Sequence, residues 1–285
     1  MNLSEAGELG LLRELERLQL VSGQDAEGAV LAGGRVATVD ILAECTHFRL
    51  DWSSFRDLGY KAAAVNLSDL AAMGAEPEGL LVGLGAPTEA ALEDVVALYS
   101  GLDEAGVRVV GGDTTRSSSW FLSVTAFGTS ERVPGRAGAV PGDVLVVTGP
   151  LGASAAGRYV LEHGSKGFDE LVEAHRRPPI RLEEGRALAR VAHAMVDLSD
   201  GIGSDAGRIA ERSGCKVVLD VDAIPKAPRI DEVADLSFWA LGEDYELLAA
   251  LTPSDAAASG LTVVGRVEEG SGVEPDLGGW DSFRA

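Results

Sequence analysis

The stretch from Tyr60 to Ala75 constrains this chain more than any other. It has the alanine-rich composition of a helix that is apolar on nearly every side, yet Asn66, Ser68 and Asp69 sit in its middle. A helix of that kind is covered by other layers of structure, so its polar side chains must find partners. A buried hydrogen-bond network would satisfy them, and so would a bound metal ion. Around this helix, read as Asp57–Met73, short valine-rich runs alternate with longer alanine- and leucine-rich ones. Val36–Ala43, Gly79–Leu84, Val107–Val110 and Phe121–Phe127 are predicted strands, and Thr88–Ala105 is a second helix. The turn cluster at 138–143 marks a boundary between two domains, 1–137 and 138–285. Beyond it, Val144–Thr148, Met195–Asp197, Val217–Val221, Glu246–Ala250 and Leu261–Val267 are predicted strands. Helices are predicted from Leu151, over Ile180–His193 and near Ser204–Arg212. Two domains of α/β and α+β character account for this order.

Charge narrows the function. Lys and Arg number 24 against 45 Asp and Glu, a formal net charge of −21. A surface this acidic repels phosphate backbones, which argues against a nucleic-acid partner. No run of 18 apolar residues occurs, so no membrane span is expected. The opening Met1–Leu20 is an acidic amphipathic segment without the basic start and apolar middle of a signal peptide. Cys45 and Cys215 are the only cysteines and lie far apart, which fits a reducing cytoplasm.

Several aspartates stand apart from the acidic surface because they follow or interrupt apolar elements. Val109–Val110 lead to Gly111-Gly112-Asp113-Thr114-Thr115, where paired glycines allow close backbone approach and Asp113 can hold a hard cation. A surface turn with a capping aspartate would read the same way. Asp197-Leu198-Ser199-Asp200-Gly201 ends a strand with two carboxylates at i, i+3; Ser199 or Asp200 could equally cap the following helix. Thr38-Val39-Asp40 ends another strand, and Gly242-Glu243-Asp244-Tyr245-Glu246 precedes one. Two carboxylates about 4 Å apart repel by roughly 4 kcal/mol at an effective dielectric near 20. These groups therefore either stay apart or are held together by divalent cations, and oxygen ligands without histidine or thiolate clusters favour Mg²⁺. The phosphate-binding GxxxxGK[ST] loop, the protein-kinase signatures, the GxGxxG fingerprint and the GxSxG elbow are all missing.

Taken in order, these motifs resemble the thiamine-monophosphate kinases, a family within the PurM-like superfamily that includes aminoimidazole-ribonucleotide synthetase. The likeness runs from about Val21 to Phe283. It is densest in Tyr60–Ala75 and recurs in Gly111–Thr115, Asp197–Gly201, Gly242–Leu247 and Gly279–Phe283. The resemblance implies a two-domain PurM-like fold, with an N-terminal α/β domain that forms a barrel in a homodimer and a C-terminal α+β domain. It implies direct transfer of the γ-phosphoryl of ATP to thiamine monophosphate. By position it implies Asp25, Thr38, Asp40, Asp69, Asp113, Asp197 and Asp200 around several Mg²⁺ ions, with Asp69, Asp113 and Asp200 as the catalytic residues. Gly112, Asp113, Arg136 and Ser199 would meet ATP; His47, Glu243 and Trp280 would meet the thiamine phosphate. Two departures stand out. The family's Gly-Asp-Asp-Ala-Ala-Val is here Gly23-Gln24-Asp25-Ala26-Glu27-Gly28-Ala29-Val30, and its Ser-Thr-Asp is Thr38-Val39-Asp40. The alternatives are another ATP-dependent enzyme of the superfamily, of purine or selenophosphate type, and a non-catalytic nucleotide-binding relative.

Overall fold

Ser54 opens the alanine-rich helix by accepting a hydrogen bond from the Asp57 N–H, which satisfies one orphan donor of the first turn. The structure, a computed structural model, describes residues 2–21 and 25–280. In chain order the first half holds α1 (Leu3–Arg17), β1 (Ala29–Val30), β2 (Arg35–Ala43), α2 (Phe55–Ala72), β3 (Glu76–Ala86), α3 (Leu92–Glu104), β4 (Val109–Arg116) and β5 (Phe121–Thr129). The second half holds β6 (Val144–Val147), α4 (Ala153–His163), α5 (Asp169–Arg176), α6 (Leu182–Ala189), β7 (Ala194–Asp197), α7 (Ile202–Ser213) and β8 (Lys216–Leu219). It closes with α8 (Ile230–Val233), β9 (Leu247–Leu251), α9 (Pro253–Ser259), β10 (Thr262–Glu268) and β11 (Gly272–Glu274).

The first half builds a five-stranded sheet in the order β1-β2-β5-β3-β4, with β3 and β4 parallel and the other neighbours antiparallel. Its inner face carries Val36, Leu42, Leu80, Val82, Leu84, Leu122, Val124 and Ala126, all buried against α2 and α3. The two helices approach closely because Gly59 and Gly101 lack side chains. A Cβ on either would come within 1.9 Å of a backbone oxygen of the other helix. Val39, Ile41, Leu81 and Phe121 alternate with the buried residues and are 37–57% exposed, so the outer face is apolar and uncovered in a single chain.

The second half builds a six-stranded sheet in the order β11-β8-β10-β6-β9-β7. Val196, Leu248 and Ala250 face a core shared with α4 and α7, while Met195, Leu247, Ala249 and Leu251 pack with Ala71, Ala72, Leu188 and Ala189. Helix α2 is therefore wedged between the two sheets, as its all-round apolar surface requires. Its middle, with Asn66, Ser68 and Asp69, lies at the seam where β2 and β7 meet it.

Two of the differences from the sequence reading have a clear physical cause. β4 runs on to Arg116, so Gly111–Thr115 form part of a strand rather than a loop after it. Parallel pairing to β3, with a register shift between Leu80 and Leu81, keeps this glycine-rich run extended. The helix expected over Ile180–His193 spans only Leu182–Ala189, because His193 already donates to the Ala250 carbonyl at 2.8 Å.

Candidate active site

Pleat alternation on β2 aims Thr38 and Asp40 at α2, while Val39 and Ile41 face away. The Thr38 hydroxyl donates to Asp69, and the Asp40 N–H donates to the Asn66 side-chain oxygen at 3.1 Å. From the other sheet β7 delivers Asp197 at its last position, where Ser68 donates to its carboxylate at 2.8 Å. The polar middle of α2 thus gathers carboxylates from both halves of the chain. Carboxylate oxygens of Glu27, Asp69 and Asp197 all lie within 4.8 Å of one another.

Crowding shows in their proton affinities. Burial, then the charges of Glu27 and Asp200, pushes Asp40 up to about 6. Burial and Glu27 push Asp197 up to about 8, against the opposing hydrogen bond from Ser68. Asp69 is raised well above its ordinary range, by burial and then by Asp40 and Asp197. Each shift records negative charge that the protein leaves uncompensated, and a cation held among these carboxylates would offset it. All the donors are oxygens, the set that suits a hard divalent cation, so these residues fit Mg²⁺.

Two arginines supply the partial counter-charge. Arg136 pairs through its guanidinium with Glu27, both side chains being 10% exposed or less. Arg208 pairs with Asp200 and lies 3.9 Å from Asp205. Neither Ser199 nor Asp200 caps α7. The buried Asp205 instead accepts from the backbone N–H groups of Asp200 and Gly201 at 3.2 and 3.1 Å, which holds the loop that carries Ser199 and Asp200.

Asp25 lies outside the carboxylate cluster within this chain. Its side chain is 70% exposed and its nearest cation is Arg212 at 3.7 Å. Its backbone carbonyl accepts from the Arg136 N–H at 2.6 Å, and Glu27, two residues on, enters the cluster. Gln24 lies outside the described residues.

Gly112 and Asp113 also stand elsewhere. Ile41, Ser123, Gly83 and Asp113 form one row of paired residues across β2, β5, β3 and β4. Asp113 is thus on the exposed outer face, opposite to Asp40, and three strand spacings, about 14 Å, from β2. Within one chain it does not reach the carboxylate cluster.

The remaining expected residues border the cluster on the other side. His47 is half-buried; its Nδ1 accepts from the Ala43 N–H at 3.1 Å, and burial lowers its proton affinity. Glu243 follows Gly242 in a loop whose backbone bonds to Ser199: the Glu243 N–H donates to the Ser199 carbonyl at 2.8 Å. The Trp280 N–H donates to the Asp200 carbonyl at 2.9 Å, with the Arg158 guanidinium 5.5 Å from its ring centre. Lys61 and His175, which sequence reasoning did not single out, complete this side: Lys61 donates to Glu243 at 2.8 Å.

Residues 24–130 match the family described as AIR synthase related protein, N-terminal domain, and 140–277 match its C-terminal domain. A thiamine-monophosphate kinase of Mycobacterium tuberculosis is 37% identical over 311 residues, covering 99% of this chain and 93% of the relative. The chain belongs to the thiamine-monophosphate kinases. The Salmonella typhimurium kinase is 42% identical over 74% of this chain and 69% of its own length. Among solved structures, AaThiL complexed with AMPPCP and TMP superposes with a TM-score of 0.91 at 31% identity, covering 99% of this chain and 98% of that one. The Escherichia coli hydrogenase maturation protein HypE, at 20% identity and a TM-score of 0.73, shares the fold. The two-sheet architecture is the PurM-like fold.

Proposed function

We propose that this chain transfers the γ-phosphoryl of ATP directly to thiamine monophosphate (TMP), giving thiamine diphosphate and ADP. One observation carries the reading: carboxylates from both halves converge on α2, in a chain that superposes over nearly its whole length on a relative complexed with AMPPCP and TMP. Glu27, Asp40, Asp69, Asp197 and Asp200 would hold Mg²⁺, with the Thr38 hydroxyl beside them. When bound, the cations neutralise the phosphates of both substrates and draw charge from the leaving ADP.

The chain's own groups do the rest by positioning. A phosphate oxygen of TMP attacks the γ-phosphorus, the bond to the β–γ bridging oxygen breaks, and ADP leaves with that electron pair. The attacking oxygen is already ionised at neutral pH, so no strong general base is required. Arg136 and Ser199 would meet the nucleotide, and His47, Glu243 and Trp280 the TMP.

The position of Asp113 and Gly112 supports a homodimer. The uncovered apolar face of the first sheet is the surface a second copy would bury, and Asp113 sits on it. We read Asp113 as completing the site of the partner rather than its own. Among the described residues no helix is long and apolar enough to cross a membrane, and both cysteines are free. With the net charge of −21 these features support a cytoplasmic enzyme with small-molecule partners and no nucleic acid.

With Mg·ATP and TMP, thiamine diphosphate and ADP are expected in equal amounts, and neither when EDTA removes the metal. Equal ADP release with and without TMP would contradict the proposal. The metal set has its own test. Glu27→Ala should lower kcat/KM at least about 100-fold and weaken Mg²⁺ activation, whereas Asp25→Ala should stay within about 3-fold. The reverse ranking would restore Asp25 as the ligand.

A further inference from the structure

Lys61 lies near the start of α2 with only 6% of its side chain exposed, an unusual place for a lysine unless it is paired. Its ammonium donates to Glu243 Oε1 at 2.8 Å. The partner residue is held in turn by its backbone: Glu243 has φ +58°, and its N–H is bonded to Ser199. A side chain rarely adopts that backbone conformation, so both the position and the direction of the carboxylate are set by the fold.

The second oxygen, Oε2, is differently placed. It lies 3.5 Å from His175 Nδ1, too far for a good hydrogen bond, and that nitrogen lies 3.2 Å from the Ser154 hydroxyl. Burial, then the Lys61 charge, pushes His175 down to about 3, so the ring is neutral. Burial opposes ionisation of Glu243, but the Lys61 ammonium outweighs it and draws the carboxyl down to about 2. The Glu243 side chain is 27% exposed, so the carboxylate can meet a ligand, and only as an acceptor.

We propose that Lys61 is a positioning residue that fixes Glu243 as an acceptor-only carboxylate, and that Glu243 thereby selects the amino group on the neutral pyrimidine ring of TMP. The inference rests on the reading of TMP as substrate. A fixed cation such as the thiazolium gains little from a carboxylate already neutralised at 2.8 Å. A hydrogen bond from an N–H donor uses the lone pairs that remain on Oε2. A ring bearing an oxo group at the same position presents an acceptor there, its N–H being on a ring nitrogen, so the fixed carboxylate meets an oxygen where it needs a donor.

Oxythiamine monophosphate, in which the amino group is replaced by an oxo group, is the probe. The wild-type protein is expected to prefer TMP by at least about 100-fold in kcat/KM. Lys61→Met leaves a buried carboxylate without its cation, which then takes up a proton and can donate to the oxo group. The preference should fall below about 10-fold, with KM for TMP raised and KM for Mg·ATP within about 2-fold. If that variant does not fold, Lys61→Met with Glu243→Gln removes both charges together, and the amide, which donates as well as accepts, should show the same collapse. A wild-type preference below about 10-fold, or variants that keep the full preference while losing kcat, would overturn the proposal. A wild-type protein that makes no thiamine diphosphate would overturn instead the kinase reading beneath it.

Discussion

Asp69→Asn is expected to abolish turnover while making the metal-free protein more stable. Asp69 is the α2 carboxylate that meets both sheets: Thr38 donates to it from β2, and Asp197 approaches it from β7. The asparagine keeps an oxygen for the Thr38 hydroxyl but removes a negative charge from the centre of the cluster. For phosphoryl transfer that depends on charge neutralisation, kcat/KM should fall at least about 1000-fold, roughly 4 kcal/mol of transition-state stabilisation. Without metal the same charge is a liability, because burial and the charges of Asp40 and Asp197 hold the Asp69 carboxyl well above its ordinary range. Removing it should raise Tm in EDTA by about 2–4 °C for a chain of this size and abolish the further rise that Mg²⁺ gives the wild type. An active variant, or one destabilised in EDTA, would mean that Asp69 is part of an ordinary hydrogen-bond network.

Asp113→Asn should be as inactive as Asp69→Asn, and mixing the two should restore activity. Each variant alone lacks one carboxylate in every site. In a mixed dimer with Asp113 donated across the interface, one site combines an intact Asp69 with an intact Asp113, and the other lacks both. Equal mixing and subunit exchange should therefore recover about a quarter of wild-type sites, because half the dimers are mixed and each has one complete site. The row Ile41-Ser123-Gly83-Asp113 motivates the experiment, since it puts Asp113 on the opposite face of the sheet from Asp40. No recovery in a preparation shown to contain mixed dimers would contradict a shared site.

Much of this site is legible in the amino-acid sequence, and the residues that are not share a cause. Asp69 stands out because a carboxylate in an alanine-rich helix needs a partner, and Asp197 because it closes an apolar strand. Both are signals local to one element. Glu27 is hidden because its approach to Asp69 and Asp197 goes with a loop closure, the Arg136 N–H on the Asp25 carbonyl, between segments far apart in the chain. The extent of β4 depends on parallel pairing with β3, which periodicity within Val107–Thr115 does not encode. Lys61 reads as a surface lysine near a helix start until Glu243, 182 residues away, is brought to it. The order of layers follows more readily, since the apolar surface of α2 demands cover on every side.

Initial rates with Mg·ATP and TMP varied together, with thiamine diphosphate measured as product, test direct transfer between two bound substrates most directly. The account predicts double-reciprocal lines that intersect, since both substrates must be held on one carboxylate site before the phosphoryl moves. Parallel lines, which would place the phosphoryl on the protein between two half-reactions, would contradict it, as would ADP released without thiamine diphosphate.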